Sequence, residues 1–385
     1  MSPAIIQHTC TLETVRAILQ HHLTSLWDEP ARATVLPPLM VWGPPGVGKS
    51  ALVREVCAEQ GIDLLDIRLA QREPVDIRGL PVPRGDVVHW LLPGEWPRDP
   101  QSRGVILFDE LTAADRTLQV AAYELILDRR LGDLYTVPPG WYIMAAGNRT
   151  GDRAVATTMS SALANRFCHL EVDADLEVWV RWAQAAGIHP DVIAFLRFRP
   201  ETFLSLEANL ERGWPSPRSW ERVGLEVDLA QGLSEDTLRT VLIGLVGVGA
   251  ATELTAFRSW ASKLPAIAAI FDGTAPVAIP ARADQRYALC CGVVHHLWRY
   301  AHRDRALNVL FDVGQKLPSD FAAMLMVDAM NNRPAHDIVA VVTHPRYAAW
   351  NRQHGTAFSG RFRAQADRIA RQVMDNSADP MVVKL

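Results

Sequence analysis

A glycine-rich stretch, "GPPGVGKS", carries the first residues that could do chemistry, and it matches G-x-x-x-x-G-K-[ST] through Gly43, Gly48, Lys49 and Ser50. An apolar run precedes it and a helix-like segment, "ALVREVCAEQG", follows it. Glycines let backbone N–H groups approach phosphate oxygens closely, and the N-terminus of a helix adds the positive end of its dipole. The stretch therefore predicts a phosphate-binding loop between a strand and a helix.

A second chemical element is the apolar run "VILFDEL", which ends in Asp109 and Glu110. Lys49 is expected to reach the β- and γ-phosphates, Ser50 and Asp109 to hold Mg²⁺, and Glu110 to activate the attacking water. A strand ending in two carboxylates could simply enter a loop, but beside a phosphate loop the pair favours hydrolysis. Because no guanine-reading motif is present, ATP is the expected nucleotide. The predicted nucleotide contacts are Gly43, Pro44, Pro45, Gly46, Val47, Gly48, Lys49, Ser50, Ala51 and Asp109.

The composition of the chain gives no sign of nucleic-acid binding, membrane association or secretion. The chain has 385 residues, a net charge of -4 and a pI near 6.3, so no basic excess indicates nucleic acid or an anionic membrane. Its five cysteines include no CxxC and favour a reducing compartment. No signal peptide is recognisable, and the longest apolar run, residues 241–251, is shorter than the roughly 20 residues that span a bilayer. We expect a soluble, cytoplasmic protein.

Strand and helix patterns alternate up to about Asp173, which predicts an α/β fold with a parallel sheet covered by helices on both faces. A segment rich in proline and glycine, about residues 72–101, interrupts this alternation and is predicted to be a hairpin insertion. Helical patterns dominate the remainder of the chain.

In their order and spacing, "GPPGVGKS", "ILFDE" and "AAGNR" resemble the motifs of AAA+ ATPases. The resemblance implies that Asn148 is the sensor 1 residue, whose amide holds the water or the γ-phosphate; a strand-end turn is the alternative. "SSALANRF" resembles the segment that ends in the arginine finger, here Arg166, with Arg149 and Arg153 as alternatives. "PSPRSW" resembles sensor 2, with Arg218 contacting the phosphates from the lid.

Within the superfamily, the insertion resembles the helix-2 insert, and "LGDLYTVPPGW" resembles the pre-sensor 1 hairpin. These features point to the clade of MoxR proteins, magnesium chelatase ATPase subunits, McrB and midasin, and "SPRSW" favours MoxR. The resemblance covers about residues 11–263. It implies a nucleotide-binding P-loop domain at 1–173, an all-α lid at 174–264 and a C-terminal helical extension at 265–385.

The same resemblance implies a function. It implies a MoxR-type ATPase that hydrolyses ATP in a hexameric ring and remodels, activates or assembles a client protein. Arg166 would act on the nucleotide of the neighbouring subunit, and a partner with a von Willebrand factor A domain is implied. Two alternatives remain: a motor acting on nucleic acid, as in McrB or helicases, which needs a basic lining, and a switch that binds ATP without mechanical work.

Two further patterns are interpreted as packing, and a third is left open. "GLVGVGA" lacks Lys-Ser and favours close helix packing over a second nucleotide loop. Cys291 and His295, at i and i+4, favour a packed helix over a zinc site, because recognised zinc ligands follow other spacings. Trp90 and Trp96 in the insertion are as compatible with packing as with a partner surface.

Overall fold

The computed structural model describes residues 9–152, 159, 161–206, 212–261, 267–331 and 333–361. The chain forms two compact units, and the boundary between them lies between Asp175 and Leu176. The first unit contains the sheet, whereas the described part of the second is helical. This boundary lies close to the predicted end of the α/β region at residue 173.

The first unit follows the predicted alternation of strands and helices. Its elements are β1 (Thr9–Cys10), α1 (Leu12–Asp28), β2 (Leu39–Trp42), α2 (Lys49–Gln60), β3 (Asp63–Arg68), α3 (Pro74–Arg78), β4 (Leu80–Arg84), β5 (Val87–Leu91), β6 (Gly104–Asp109), α4 (Arg116–Asp128), β7 (Arg130–Leu131), β8 (Tyr135–Thr136), β9 (Trp141–Gly147), α5 (Ser161–Ala164) and β10 (Cys168–Val172).

Six of these strands form one parallel sheet in the order β1-β10-β2-β9-β6-β3. The central strands are continuous apolar runs, and β9 is buried along its whole length, as expected for a sheet covered on both faces. Helices α1 and α2 contribute to one hydrophobic core and α4 to another. The predicted parallel sheet flanked by helices is confirmed.

The insertion contains a hairpin of β4 and β5, paired antiparallel from Leu80↔Leu91 to Arg84↔Val87. It also contains the short helix α3, which the sequence prediction did not separate from the hairpin. The two tryptophans of the insertion differ. Trp96 is 2% exposed and donates from Nε1 to the Ile77 carbonyl, so it packs in the core, whereas Trp90 on the hairpin is 42% exposed. A second small hairpin, β7–β8, lies in the segment predicted to be the pre-sensor 1 hairpin.

The second unit contains ten helices within its described residues. They are α6 (Leu176–Ala186), α7 (Pro190–Phe198), α8 (Pro217–Asp228), α9 (Glu235–Ala261), α10 (Ile267–Phe271), α11 (Ala283–Leu297), α12 (Arg303–Lys316), α13 (Ser319–Met330), α14 (Ala335–Val342) and α15 (Tyr347–Arg361).

Helices from both sides of the predicted division at residue 264/265 pack together in this unit. α7 packs along α11, and the buried guanidinium of Arg197 on α7 pairs with the buried carboxylate of Asp328 on α13. Glu177 on α6 accepts from the same guanidinium at 3.0 Å. The separation of a lid from a C-terminal extension remains a prediction.

Helix α9 is long and apolar enough, by length and composition alone, to cross a membrane between Glu235 and Ser259. Gly247, however, has φ 78° and ψ 167°, which interrupts the helix in its middle. Each half is shorter than the roughly 20 residues that a spanning helix needs. The close approach in this region is made by Gly213, where an added Cβ would lie 1.9 Å from the carbonyl oxygen of Gly244. The glycines of "GLVGVGA" thus form a helix break against which another backbone segment packs.

Candidate nucleotide-binding site

The glycine-rich loop runs from the end of β2 to the start of α2, as the sequence predicts. Gly43 is closed in by β10, because an added Cβ would lie 2.6 Å from the Val172 carbonyl oxygen. Gly48, the N-cap of α2, has φ 110°, which strongly favours glycine. No side chain caps this helix. The N–H groups of its first residues, Lys49, Ser50 and Ala51, have no hydrogen-bond acceptor within the helix. These donors form an anion-binding site at the helix N-terminus.

Lys49 folds back over this loop. Its Nζ donates to the carbonyl oxygens of Gly43 at 2.6 Å and Pro44 at 3.1 Å, and to Asn148 Oδ1 at 3.1 Å. All three acceptors are neutral oxygens. A cation in contact with neutral oxygens at the mouth of an anion site is well placed to exchange them for phosphate oxygens.

Ser50 and Asp109 lie in direct contact, since Ser50 Oγ donates to Asp109 Oδ2 at 2.5 Å. The other carboxylate oxygen, Oδ1, accepts from the Glu110 N–H at 3.0 Å, which fixes the orientation of the group. A hydroxyl and a carboxylate are the hard oxygen ligands that Mg²⁺ prefers, and Mg²⁺ is usually held by only one or two protein groups plus substrate phosphates. The donor set therefore fits the predicted magnesium site.

Glu110 follows the last residue of β6 and adopts a left-handed conformation, with φ 56°. A non-glycine residue in this region carries strain, and such strain concentrates at functional sites. Within the described part of the chain, its carboxylate makes no hydrogen bond or ion pair, and the side chain is half-buried. The carboxylate is therefore available to accept a proton from a water molecule.

Asn148, directly after β9, is held by a residue that the sequence prediction missed. The Asn148 N–H donates to Thr112 Oγ1 at 3.2 Å, and that hydroxyl donates to the Asn148 carbonyl at 3.3 Å. Thr112 is 1% exposed, and an added Cβ at Gly147 would lie 2.8 Å from its hydroxyl. Thr112 thus fixes the backbone that presents the amide. A threonine two residues after an acidic pair gives no signal of this in sequence.

The candidate arginine fingers occupy different environments. Arg149 is held within its own unit by Asp152, Glu171 and Asp173, at 3.3, 3.5 and 2.9 Å. Burial lowers the pKa of the Arg149 guanidinium, but its hydrogen bonds and charge interactions with Asp173 and Asp152 raise it above the ordinary value. Arg149 is therefore engaged by carboxylates of its own unit.

Arg166 is the exposed candidate. It lies in the turn after α5, and its N–H donates to the Leu163 carbonyl at 3.1 Å. Within the described residues, its guanidinium has no ion-pair partner. Arg153, the third candidate, lies outside the described residues. Of the two described candidates, Arg166 has the guanidinium that can reach another molecule.

Arg218 belongs to the second unit. It is exposed in the first turn of α8, where Ser216 is the N-cap and accepts from the Ser219 N–H. Its contact with the phosphates remains a prediction. Among the described residues, no group of three or more His, Cys, Asp or Glu side chains could hold a metal ion.

The comparisons with known proteins agree with the geometry of the loop. Residues 39–82 match the family AAA, "ATPase family associated with various cellular activities". No curated protein matches the chain. The match spans β2, the phosphate loop, α2, β3, α3 and the start of β4, so the similarity to AAA ATPases lies in the phosphate-binding part of the chain.

Solved structures resemble the chain only distantly. NtrX from Brucella abortus is 17% identical, with 87% of this chain and 67% of that chain covered and a TM-score of 0.33. A RuvB mutant from Thermotoga maritima is 16% identical, with 78% and 88% covered and a TM-score of 0.34. A putative ATPase from Cytophaga hutchinsonii is 12% identical, with 78% and 88% covered and a TM-score of 0.29. Similarities this low carry no argument about function.

Proposed function

We propose that this protein is a MoxR-type AAA+ ATPase that hydrolyses ATP in a ring and uses the cycle to remodel, activate or assemble a partner protein. One observation carries the proposal. Lys49, Ser50, Asp109, Glu110 and Asn148 gather at the carboxyl ends of the adjacent strands β2, β9 and β6. This is the edge of an open parallel sheet where ligands bind.

Each side chain has a role that follows from its chemistry. Lys49 and the N–H groups of α2 would bind the phosphates, and Ser50 with Asp109 would hold Mg²⁺, which supplies charge neutralisation at the phosphates. Glu110 would accept a proton from the attacking water, and the Asn148 amide would orient that water or the terminal phosphate. The contact between Lys49 and Asn148 lets the amide respond directly to occupation of the phosphate loop.

Assembly into a ring is proposed from the position of Arg166. In its own subunit the guanidinium is exposed and points to no carboxylate within the described residues. An arginine that completes the site of a neighbour needs this freedom, and a finger of this kind speeds hydrolysis by about 10³ to 10⁵. Arg149, held by its own carboxylates, lacks it.

The protein client and the von Willebrand factor A domain partner are proposed from the resemblance of the insertion to the helix-2 insert. The hairpin exposes mainly apolar side chains: Leu80, Val87, Val88, Trp90 and Leu91. Apolar, exposed strands suit a protein surface more than a nucleic acid backbone, which demands cations. A protein client is therefore favoured over the nucleic-acid motor.

The proposal can be tested with mass photometry of the Glu110→Gln variant, with and without ATP and Mg²⁺. The expected result is a shift from small species to a ring of about six copies, because the variant binds ATP without consuming it. Lys49→Ala in the same buffer is the matched control and should stay small. A persistent monomer with bound ATP would mean that Arg166 has no neighbouring site to complete. It would favour the alternative of a switch that binds ATP without mechanical work.

A further inference from the structure

His169 on β10 contacts two segments to which the proposed function gives separate roles. Trp42, the last residue of β2, stands directly before Gly43 of the phosphate loop. Ala164, the last residue of α5, stands shortly before Arg166. His169 makes a hydrogen bond to each of them, so one imidazole bridges the entrance of the phosphate loop and the turn of the candidate finger.

The two hydrogen bonds define how the imidazole is protonated. Trp42 Nε1 lies 2.8 Å from His169 Nδ1, and an indole N–H can only donate, so Nδ1 must accept. His169 Nε2 lies 2.7 Å from the Ala164 carbonyl oxygen, which can only accept. His169 is therefore the neutral Nε2–H tautomer, with one ring nitrogen assigned to each neighbour.

Aromatic contacts hold the ring in this orientation. The Trp42 indole stacks on the imidazole with centroids 5.9 Å apart and an interplanar angle of 19°. Phe167 approaches edge-on at 6.1 Å and is itself buried in the core of the unit. The imidazole is therefore constrained by both neighbours as well as by its hydrogen bonds.

Helix α5 needs support of this kind because it is very short. It has four residues, so its last carbonyls have no partner within the helix. The Ala164 carbonyl accepts the weaker backbone bond of Phe167 at 3.3 Å and the shorter bond of His169. Leu163 and Phe167, on either side of the turn in sequence, are buried, and His169 bonds the Ala164 carbonyl. The exposed Arg166 lies between these fixed points.

We propose that His169 is a positioning residue that ties the turn bearing Arg166 to the strand that enters the phosphate loop. A displacement of the end of β2 is passed through the indole and the imidazole to the arginine that the same subunit offers to its neighbour. The inference rests on the proposed role of Arg166 as the finger. It gives the ring a route from the nucleotide site of one subunit to that of the next.

Four variants distinguish the effects of the two His169 hydrogen bonds, to Trp42 and to the Ala164 carbonyl. His169→Asn retains an acceptor near Nδ1 for Trp42, and His169→Gln retains a donor that reaches the Ala164 carbonyl. His169→Ala removes both bonds, and Trp42→Phe removes only the indole donor. His21→Ala, an exposed histidine on α1, is the matched control. Steady-state ATP hydrolysis and thermal unfolding are measured for each variant.

We expect His169→Ala to lower kcat about ten-fold. A misplaced catalytic group lowers the rate of hydrolysis without changing the affinity for ATP. The effect stays modest because an exposed hydrogen bond contributes little free energy. The KM for ATP and the unfolding temperature should stay near the wild type. The Asn and Gln variants should each recover part of kcat. Adding Trp42→Phe to His169→Ala should cause no further loss, since the shared bond is already absent.

Three results would overturn the inference, and they can be told apart. If His169→Ala hydrolyses ATP like the wild type while Arg166→Ala is inactive, the finger assignment stands and the positioning role of His169 is wrong. If Arg166→Ala itself hydrolyses ATP like the wild type, the proposed finger fails, and the inference fails with it. A parallel loss of kcat and unfolding temperature in all His169 variants would also contradict a positioning role.

Discussion

Lys49 Nζ donates to Asn148 Oδ1 at 3.1 Å, so a side-chain hydrogen bond joins the phosphate loop to the residue after β9, beside the backbone bond from the Gly43 N–H to the Gly147 carbonyl. Lys49 Nζ also donates to the carbonyl oxygens of Gly43 and Pro44 in its own loop. ATP would replace these neutral acceptors with charged phosphate oxygens, which form stronger bonds to an ammonium group. The release of Asn148 from Lys49 is then coupled to nucleotide binding.

Lys49→Ala should weaken ATP binding at least about a hundred-fold, because it removes the ammonium group that contacts the loop and leaves the phosphates to depend more on backbone donors. Titration with a fluorescent ATP analogue measures this. Lys316→Ala is the control, since Lys316 lies on α12 and donates to the Val277 carbonyl. Equal affinity in wild type and Lys49→Ala would show that the nucleotide binds elsewhere.

Glu110→Gln should bind ATP like the wild type and lower kcat by about 10² to 10⁴, the usual contribution of a general base. The substitution keeps size and backbone conformation while it removes the proton acceptor. Single-turnover hydrolysis of radiolabelled ATP separates the chemical step from release. Wild-type hydrolysis in this variant would mean that another group activates the water.

Thr112→Val should lower kcat about three- to ten-fold with little change in the KM for ATP. The valine keeps the volume but leaves the partly buried N–H of Asn148 without this acceptor, which also costs roughly 1 kcal/mol of stability. Steady-state kinetics and denaturant unfolding measure the two effects. Thr136→Val, at an exposed position of β8, should change neither. An unchanged kcat with reduced stability would limit Thr112 to a structural role.

Arg149→Ala should reduce stability more than Arg166→Ala. It leaves Asp152, Glu171 and Asp173 without their shared cation, and burial already raises the pKa of Glu171 although Arg149 opposes that rise. Because these pairs are partly exposed, the expected loss is only about 1–2 kcal/mol. Denaturant unfolding compares the two variants, and a larger loss in Arg166→Ala would reverse their roles.

Asp328→Asn should destabilise the second unit by about 3 kcal/mol. It leaves the buried guanidinium of Arg197 with Glu177 alone as a charged partner, and breaking a buried pair costs far more than breaking a surface pair. Asp312→Asn, which breaks the exposed pair with Arg346, is the control and should cost less than 1 kcal/mol. Equal unfolding curves for both variants would show that the buried pair contributes little to holding α7 against α13.

The sequence predicts much of the fold and of the hydrolytic centre because both depend on local patterns. Continuous apolar runs indicate the buried strands, and the spacing from Gly43 to Ser50 fixes a loop that ends at a helix. The predicted acidic residues, Asp109 and Glu110, lie at the end of β6 as expected. The contact of Lys49 with Asn148 follows from strand order, since β2 and β9 are neighbours in the sheet.

Other features depend on contacts between distant segments and leave no local trace. The buried pair of Arg197 and Asp328 joins residues far apart in sequence. The break of α9 at Gly247 lies where Gly213 packs against the helix, whereas the sequence predicts close helix packing there without a break. In sequence, Arg149 and Arg166 are both arginines that could act as the finger. Only the carboxylates that surround Arg149 in the structure distinguish them.

Complementation between two inactive variants tests the central claim most directly. Arg166→Ala keeps its own phosphate site but offers no finger, whereas Glu110→Gln offers the finger but cannot hydrolyse its own ATP. Differently tagged copies are coexpressed, purified as mixed oligomers and assayed for ATP hydrolysis. We expect the mixed oligomer to hydrolyse ATP although neither variant is active alone. In the mixture, the intact site of an Arg166→Ala subunit can receive the Arg166 of a neighbouring Glu110→Gln subunit. A mixed oligomer as inactive as its parents would contradict the proposal that Arg166 completes the site of a neighbouring subunit.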